Sequence, residues 1–212
     1  MDQIDTFYFI NFDRRTDRLK QILGEFEKMA IPFDKIIRIQ AYDHKIGIFG
    51  CGKSHVLAIS HFIESGKNRC MIFEYDFEFT ETREKVNEVL GNIFSSDSII
   101  DCLLLSGNEN SVEKTTNILL KRVFFSTTTA GYIITRRYAP ALLNNFKEGA
   151  AKQEKWIETY GEPENLFNLD YYWIFEQVCG KFYITNPKLG QQRDSPSDIT
   201  DTSKPTMFAL KT

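Results

Sequence analysis

The chain has 212 residues, of which 42% are hydrophobic and 14% aromatic, which is enough for one sizeable core and too little for two full domains. A formal net charge of -3 provides no basic field, so nucleic acid and anionic membranes are not expected as partners and small-molecule chemistry is favoured. No apolar run approaches the roughly 20 residues of a membrane span, and the N-terminus lacks a signal-peptide pattern. We therefore expect a cytoplasmic protein without a transmembrane segment.

The cysteines lie far apart, with no C-x-x-C pair and no histidine at zinc-finger spacing. Most lie within apolar runs, which predicts buried thiols in a reducing compartment. They are Cys51, Cys70, Cys102 and Cys179.

The first half of the chain alternates apolar strand patterns with amphipathic helix patterns. Strands are predicted over residues 6–12, 35–41, 70–80 and 99–106, and helices over 14–29, 54–65 and 83–94. This order predicts an α/β layer architecture with a mostly parallel sheet, in which ligands bind beyond the carboxyl ends of the strands.

The second half is predicted to add further strands. The β-rich runs 118–126 and 128–135 favour an antiparallel pair, so the sheet should be mixed. A helix is expected over 137–146, and the polar stretch 147–168 is predicted to be an irregular flap. After a helix at 170–178 and a strand at 182–185, the chain is expected to end in an extended tail or linker. These patterns predict one domain over residues 1–190 and the tail over 191–212.

The strand at 70–80 ends in carboxylates at alternate positions, Glu74, Asp76 and Glu78, which share one face of an extended chain. Crowded carboxylates are unfavourable unless a cation lies between them, and Mg²⁺ and Mn²⁺ take oxygen ligands together with substrate phosphates. The pattern therefore predicts a metal-bound phosphorylated substrate. The alternative is an edge strand with a solvated acidic face.

Residues 50–55 (GCGKSH) resemble a turn that cradles phosphate at a helix start, where free N–H groups and the helix dipole favour an anion. His55 could contact a diphosphate or a metal, and a capping or core role is nearly as well supported. His44 and His61 are expected to be structural. Thr128, Thr129 and Tyr132 could offer hydroxyl contacts to a ligand, although β-branched residues in a strand usually have only a structural role.

Further segments of the chain support a family resemblance when they are taken in order. They are FINFDRRTDRL (9–19), GCGKSHVLAI (50–59), IFEYD (72–76), TTAGYIITRRYAPALL (128–143), NLDYYW (168–173) and QRDSPSDI (192–199). Together these segments resemble glycosyltransferase family 25, which includes lipopolysaccharide and collagen galactosyltransferases. The compact length also resembles the N-terminal glycosyltransferase domain of larger chlorella-virus proteins. That likeness implies a host cytoplasmic location and further domains C-terminal to this chain.

The resemblance implies an A-type glycosyltransferase fold, with a mixed, mostly parallel central sheet flanked by helices in a single domain. It implies a UDP-sugar donor carrying glucose or galactose, Mn²⁺ or Mg²⁺, and inverting transfer to a hydroxyl of a glycan or glycoprotein acceptor. Where the family commonly has Glu-Asp-Asp, this chain has Glu74-Tyr75-Asp76. Asp76 is then the leading metal ligand, with Glu74 and Glu78 behind it, and Glu74 could instead bond ribose or sugar hydroxyls.

The resemblance also assigns a set of nucleotide-sugar contacts. The first turn after the first strand is basic, and on residue type alone its side chains could simply be solvated. The resemblance instead favours nucleotide contacts for Asn11 and Arg18. The full set is Asn11, Arg14, Arg18, Ala41, Ser54, His55, Glu74 and Tyr75.

An inverting displacement needs a carboxylate base across the sugar from the metal. Asp170 meets this requirement at a predicted helix start among aromatic residues, although an aspartate there is more often a cap. Asp198 and Glu176 are the next candidates.

Two other functions compete with transfer: a haloacid-dehalogenase-like phosphohydrolase using Asp76-x-Glu78-x-Thr80, and a non-catalytic nucleotide- or sugar-binding module in which Tyr75 marks loss of the metal site.

Overall fold

An eight-stranded sheet forms the centre of the molecule, which a computed structural model describes for residues 1–96 and 98–194. The strands are, in chain order, β1 (Thr6–Asn11), β2 (Ile36–Gln40), β3 (Arg69–Glu74), β4 (Phe77–Phe79), β5 (Cys102–Leu104), β6 (Ser111–Lys114), β7 (Leu120–Phe125), β8 (Gly131–Thr135), β9 (Phe182–Thr185) and β10 (Gly190–Gln192). The helices are α1 (Thr16–Lys28), α2 (Gly47–Ser65), α3 (Arg83–Phe94), α4 (Ala139–Tyr160), α5 (Leu169–Tyr172) and α6 (Ile174–Cys179). Phe33–Lys35 and Asn165–Phe167 form 3-10 turns.

The large sheet has the strand order β2-β1-β3-β8-β5-β9-β7-β6. Strand β1 runs parallel to β2 and β3, and β5 runs parallel to β9. Strand β8 is antiparallel to β3 and β5, and β7 is antiparallel to β6 and β9, so β7 and β8 run against the other strands. The predicted α/β class with a mixed, mainly parallel sheet in one domain is confirmed.

Helices cover both faces of the sheet because the buried residues of its central strands alternate between two cores. From β1, Phe7 and Phe9 belong to one core, which they share with α1 and α3. Tyr8 and Ile10 belong to the other core, which they share with α2 and α4. The first strand is buried along its whole length, as its apolar character on both faces predicts.

The predicted antiparallel pairing of the runs 118–126 and 128–135 is wrong. Strand β7 lies between β6 and β9, whereas β8 lies between β3 and β5. An apolar pattern specifies that a strand forms and which face it buries, but not which strand lies beside it.

The predicted irregular flap at 147–168 is also wrong over most of its length, because α4 continues to Tyr160. The helix buries Phe146, Ala150 and Gln153 on one side while its charged residues face solvent. Glu148 and Lys152 form an i,i+4 ion pair of 2.8 Å on that exposed side. The polar content of this stretch therefore belongs to an amphipathic helix rather than to a loop.

The ends of the described chain complete the comparison with the sequence. Strand β10 pairs antiparallel with β4, so Gln191 and Gln192, at the start of the predicted tail, are strand. Residues 195–212 of the predicted tail lie outside the described residues. Cys70 and Cys102 are buried as predicted, but Cys51 is only partly buried and Cys179, at the end of α6, is exposed. In the described part of the chain, no helix combines the length and hydrophobicity that a bilayer span requires.

Candidate active site

The candidate site lies at the carboxyl ends of β1 and β3, which are neighbours in the sheet. Their register places Ile10 beside Glu74, so Asn11, the last residue of β1, lies next to Tyr75, the first residue after β3. Helix α2 passes over this edge and brings the side chain of His55 to Glu74. Four of the predicted site residues therefore converge where α/β proteins usually bind ligands.

A cleft with a volume of about 290 Å³ opens at this edge. Glu74 lies on one side of it, and Asp170, on the short helix α5, also lines it. The cleft is bounded by both halves of the chain, with Ile48, Cys51 and Glu74 from the first half and Thr128, Thr129, Asn165, Asn168, Leu169, Asp170, Tyr171 and Gln192 from the second. A cavity lined by residues from separate elements is a usual place for a small ligand.

A smaller cavity of about 30 Å³ lies on the other side of Glu74 and Cys51. Five of the predicted nucleotide contacts line it together with Phe12. They are Ala41, Ser54, His55, Glu74 and Tyr75. Because Glu74 and Cys51 line both cavities, they mark the junction between the two.

Glu74 is held by hydrogen bonds from two directions. Its Oε1 accepts a bond of 2.6 Å from the Thr129 hydroxyl and lies 3.3 Å from His55 Nε2. His55 is fully buried, and its Nδ1 lies 2.8 Å from the Tyr132 hydroxyl. Burial alone would raise the pKa of Glu74, but the bonds to His55 and Thr129 lower it overall, so the carboxylate is ionised.

Asp76 is buried beside that charge. Burial, followed by the negative charge of Glu74, raises its pKa to about 6, while the amide of Gln192 and the charge of Arg18 act in the opposite direction. Its Oδ2 accepts a bond of 2.9 Å from Gln192 Nε2. Its Oδ1 is buried and has no hydrogen-bond partner among the described residues. A buried oxygen of this kind has capacity left for a ligand.

Asp170 lies in the first turn of α5, whose N-cap residue is Asn168. Burial and the charge of Glu74 raise the pKa of Asp170, and hydrogen bonds from the backbone N–H groups of Asp170 and Thr128 partly offset that rise. Thr128 has a φ of 81°, an unfavourable backbone conformation for a β-branched residue. Strained backbone of this type concentrates at functional sites.

The predicted arginines lie around Tyr75 and Phe12. Arg18 is buried, with its guanidinium carbon 5.3 Å from the centre of the Tyr75 ring, and it contacts Gln21. Arg14 is exposed; it pairs with Asp43 and lies 4.1 Å above the Phe12 ring. Asn11 is fully buried, and its Oδ1 has no hydrogen-bond partner among the described residues.

The phosphate-cradling turn predicted at residues 50–55 does not form, because α2 begins at Gly47 and already includes these residues. Ser54 Oγ donates a bond of 2.7 Å to the Gly50 carbonyl and accepts one of 2.8 Å from the Tyr42 N–H. A Cβ at Gly50 would come within 2.6 Å of the Tyr42 carbonyl oxygen, so this glycine permits a close approach of two segments. Of the glycines that suggested a loop, Gly50 therefore serves close packing against α2 instead.

Glu78 points toward the C-terminal strand. Its Oε1 accepts a bond of 2.6 Å from Gln191, and its Oε2 lies 3.1 Å from Arg193. Residues 77–79 form β4 and not a loop, so the Asp76-x-Glu78-x-Thr80 segment is built differently from the nucleophile loop that the phosphohydrolase alternative requires.

Asp198, a reserve candidate for the base, lies outside the described residues. Glu176, the other reserve, accepts a bond of 2.6 Å from the Tyr138 hydroxyl.

Two polar contributors to the site were not predicted from the sequence. Cys51 was assigned only as a buried thiol, and Gln192 was placed in the tail. Gln192 lies within the segment 192–199 that carries part of the family resemblance, and this was the available signal. For Cys51 the signal was its spacing of four residues from His55, which puts both on one side of a helix.

No protein-family model matches the chain, and no curated protein matches it. Solved structures do. The crystal structure of a glycosyltransferase involved in the glycosylation of the major capsid of PBCV-1 aligns with a TM-score of 0.56 and 11% identity, covering 91% of this chain and 93% of that one. This chain shares the fold of that glycosyltransferase. The expected A-type glycosyltransferase architecture is thereby confirmed as a fold.

Two further structures align less well. A197 from STIV gives a TM-score of 0.45 at 12% identity, covering 94% of this chain and 100% of that one. A mannose-1-phosphate geranyltransferase from Thermus thermophilus gives 0.48 at 7% identity, covering 89% and 73%.

Proposed function

We propose that the protein is a metal-dependent glycosyltransferase that moves a hexose from a UDP-sugar to a hydroxyl group of a glycan or glycoprotein acceptor with inversion. One observation carries the proposal: Glu74 and Asp170 line the same cleft of about 290 Å³, and Asp76 follows Glu74 at the edge of the sheet. The fold shared with the PBCV-1 glycosyltransferase supports it.

The nucleotide is proposed to lie over the smaller cavity. At about 30 Å³, that cavity is too small to enclose a nucleoside base, so the base would lie across its mouth against Phe12 and Tyr75. Tyr75, which replaces the middle acid expected from the family, then serves as an aromatic surface. The buried Asn11 Oδ1 is available to accept a hydrogen bond from the nucleoside.

Asp76 fits an oxygen-binding divalent ion. Its Oδ1 has no partner among the described residues, and the neighbouring Glu74 charge makes ionisation of Asp76 unfavourable unless a cation is present. Asp76 would hold Mn²⁺ or Mg²⁺, which would neutralise the charge that develops on the diphosphate leaving group. Glu78 is less suited, because its carboxylate is already paired with Arg193.

Asp170 is proposed to remove the acceptor proton. The acceptor oxygen forms a bond to the anomeric carbon as its proton passes to the Asp170 carboxylate, and the bond to the diphosphate oxygen breaks with its electron pair leaving on the diphosphate. Burial and the charge of Glu74 make Asp170 a stronger base than an exposed aspartate, because they raise its pKa. Glu74 lies at the cavity junction, where it can accept bonds from ribose or sugar hydroxyls.

Turnover of UDP-glucose and UDP-galactose with Mn²⁺ tests the proposal. Wild type is expected to release UDP slowly by hydrolysis of the sugar nucleotide and faster when an acceptor is present. Asp76→Asn is expected to lose this Mn²⁺-dependent turnover while remaining folded. Asp34→Asn, at an exposed position before β2, is the matched control and should retain turnover.

Wild-type turnover by Asp76→Asn in Mn²⁺ would remove Asp76 from the mechanism. UDP binding without turnover of either sugar nucleotide would favour the non-catalytic module. Release of inorganic phosphate from a phosphomonoester, with a trapped aspartyl phosphate, would favour the phosphohydrolase.

A further inference from the structure

A cysteine, a histidine and a glutamate meet at the junction of the two cavities. Cys51 and His55 lie four residues apart on α2 and face the end of β3, where Glu74 emerges. One ligand-type atom from each residue lies within 4.8 Å of the other two. Nothing in the proposed transfer reaction requires a thiol at this position.

Two of the three groups are already oriented by a second layer of hydrogen bonds. The Tyr132 hydroxyl lies 2.8 Å from His55 Nδ1, which leaves Nε2 directed at Glu74. The Thr129 hydroxyl donates a bond of 2.6 Å to Glu74 Oε1. Histidine and carboxylate ligands of metal ions are characteristically fixed by partners of this kind.

We propose that Cys51, His55 and Glu74 bind a divalent ion of the zinc class. A thiolate, an imidazole and a carboxylate suit Zn²⁺ or Co²⁺, whereas Mg²⁺ and Mn²⁺ prefer all-oxygen ligands. Nitrogen and oxygen ligands on a tetrahedral Zn²⁺ lie about 3.3 Å apart. His55 Nε2 and Glu74 Oε1 are 3.3 Å apart, so a bound ion would take the place of the hydrogen bond that joins them in the metal-free protein. Because the Cys51 sulfur lies within 4.8 Å of both atoms, it needs to move by no more than about 1 Å to reach the same tetrahedral geometry.

The position of the site leaves its fourth ligand open. Cys51 and Glu74 line the large cleft, so a water molecule or an oxygen of a bound ligand can complete the coordination. Three protein ligands with one open position is the pattern of zinc sites that interact with substrates, while purely structural sites are closed. The site differs from the Asp76 position in its ligand chemistry and therefore in the metals that it selects.

Titration of metal-free wild-type protein with Co²⁺, without any nucleotide, tests the inference. We expect thiolate-to-cobalt absorption in the near ultraviolet that saturates at one equivalent and is removed by Zn²⁺ but not by an equal concentration of Mn²⁺. Absence of this absorption in folded wild type, or its removal by Mn²⁺ at equal concentration, would overturn the proposal.

Variants assign the ligands. Cys51→Ser should abolish the thiolate absorption and weaken Zn²⁺ binding at least about 10-fold, and Cys179→Ser, at an exposed cysteine elsewhere, should change neither. His55→Gln should also weaken binding, but because His55 is buried, Cys51→Ser is the deciding variant if His55→Gln does not fold. Unchanged absorption in Cys51→Ser, or its loss in Cys179→Ser, would refute the assignment.

The Asp76→Asn variant separates this inference from the proposed function. It should lose Mn²⁺-dependent turnover yet keep the Co²⁺ absorption, because Asp76 is not one of the three ligands. Loss of the Co²⁺ absorption in folded Asp76→Asn would mean that the two metal positions are one, and the proposed ligand set would be wrong.

Discussion

The Asp76 carboxyl group is buried beside Glu74, and its pKa is raised from 3.8 to about 6. The folded state therefore holds this proton more tightly than the unfolded chain does. The free energy of unfolding that Asp76 contributes must fall as the pH rises from about 4 to about 6, and it stays low at neutral pH. The difference corresponds to about 3 kcal/mol, as an order of magnitude. A group that destabilises the fold when ionised is consistent with a role in binding a cation.

The first prediction is that Asp76→Asn stabilises the protein at neutral pH in the presence of a chelator, by about 1–3 kcal/mol, because the amide removes the buried charge. Urea unfolding at pH 7.5 and at pH 4.5 measures the effect, which should be smaller at the lower pH. The exposed Asp34→Asn is the control. A variant that is less stable than wild type at pH 7.5, or a gain independent of pH, would contradict this account.

The second prediction concerns Asp170. Asp170→Asn should melt at or above the wild-type temperature, because Asn168 and not Asp170 is the N-cap residue of α5 and the amide removes a charge that burial makes unfavourable. The variant should still bind UDP and Mn²⁺, yet it should transfer sugar at least about 10²-fold more slowly, because an amide cannot accept the acceptor proton.

The control for Asp170 is Glu176→Gln, since Glu176 bonds Tyr138 outside the cleft and its replacement should preserve transfer. Steady-state rates measured with saturating donor decide the matter. Normal transfer by Asp170→Asn would leave Asp170 as a structural residue.

Single residues differed in how far the sequence could predict their positions. The single strand predicted over 70–80, with Glu74, Asp76 and Glu78 on one face, is wrong, because Tyr75 and Asp76 form a turn between β3 and β4. Glu74 was nevertheless predictable because it ends a buried strand, and Asp170 because the reaction type implied by the resemblance requires a base. Gln192 was not, because its contact with Asp76 spans more than a hundred residues of chain, and no local pattern encodes it. The isolated Oδ1 of Asp76 likewise depends on burial, which only the folded chain reveals.

At the scale of elements, the ring of Phe77 packs between β8 and β10, and backbone hydrogen bonds from Leu189 and Gly190 to Leu105 also tie β10 to the fold. That ring is fully buried and lies against Gly131 on β8 and Gly190 on β10, where a Cβ on either glycine would overlap it. The two glycines thus form a slot that fixes β4, and β4 in turn holds β10 with Gln192 near Asp76.

The third prediction is that Gly131→Ala and Gly190→Ala each destabilise the protein by about 1–3 kcal/mol, because the added methyl group forces the Phe77 ring out of a packed slot. Gly24→Ala is the matched control. Its position in α1 has no atom within 4 Å of the added carbon, so it should stabilise by about 0.5–1 kcal/mol. Denaturant unfolding measures all three variants. If Gly131→Ala and Gly190→Ala prove as stable as Gly24→Ala, the slot has no importance for the fold.

Helix boundaries show why element prediction failed where it did. The segment 47–53 contains three glycines, which indicate a loop by propensity, but close contact with the Tyr42 backbone and burial of Phe49 make it the first turns of α2. The segment 147–160 is highly charged, which suggested a flap, but one buried side is enough for a helix. In both segments tertiary packing outweighed composition.

For the whole molecule, the alternation of strands and helices predicted the α/β class and the edge at which the site lies. It did not predict that β8 separates the two parallel sets of strands, since partner choice depends on long-range contacts. This arrangement of the strands is reflected in how the two cavities are built. The smaller cavity is built only from residues up to Tyr75, whereas the large cleft needs residues from both halves. The proposed nucleotide and sugar positions follow this division.

The last prediction is that UDP with Mn²⁺ raises the melting temperature more than CDP or GDP does, because only the base differs among them and the base is proposed to lie against Phe12 and Tyr75. A ligand at 100 times its dissociation constant stabilises the folded state by about 2.7 kcal/mol. For a chain of this length that amounts to about 5–10 °C. Pyrophosphate with Mn²⁺ is the control for the diphosphate alone, and it should protect less than UDP. Equal protection by UDP, CDP and GDP would mean that the base is not recognised, and equal protection by pyrophosphate would place all of the binding energy on the diphosphate and the metal.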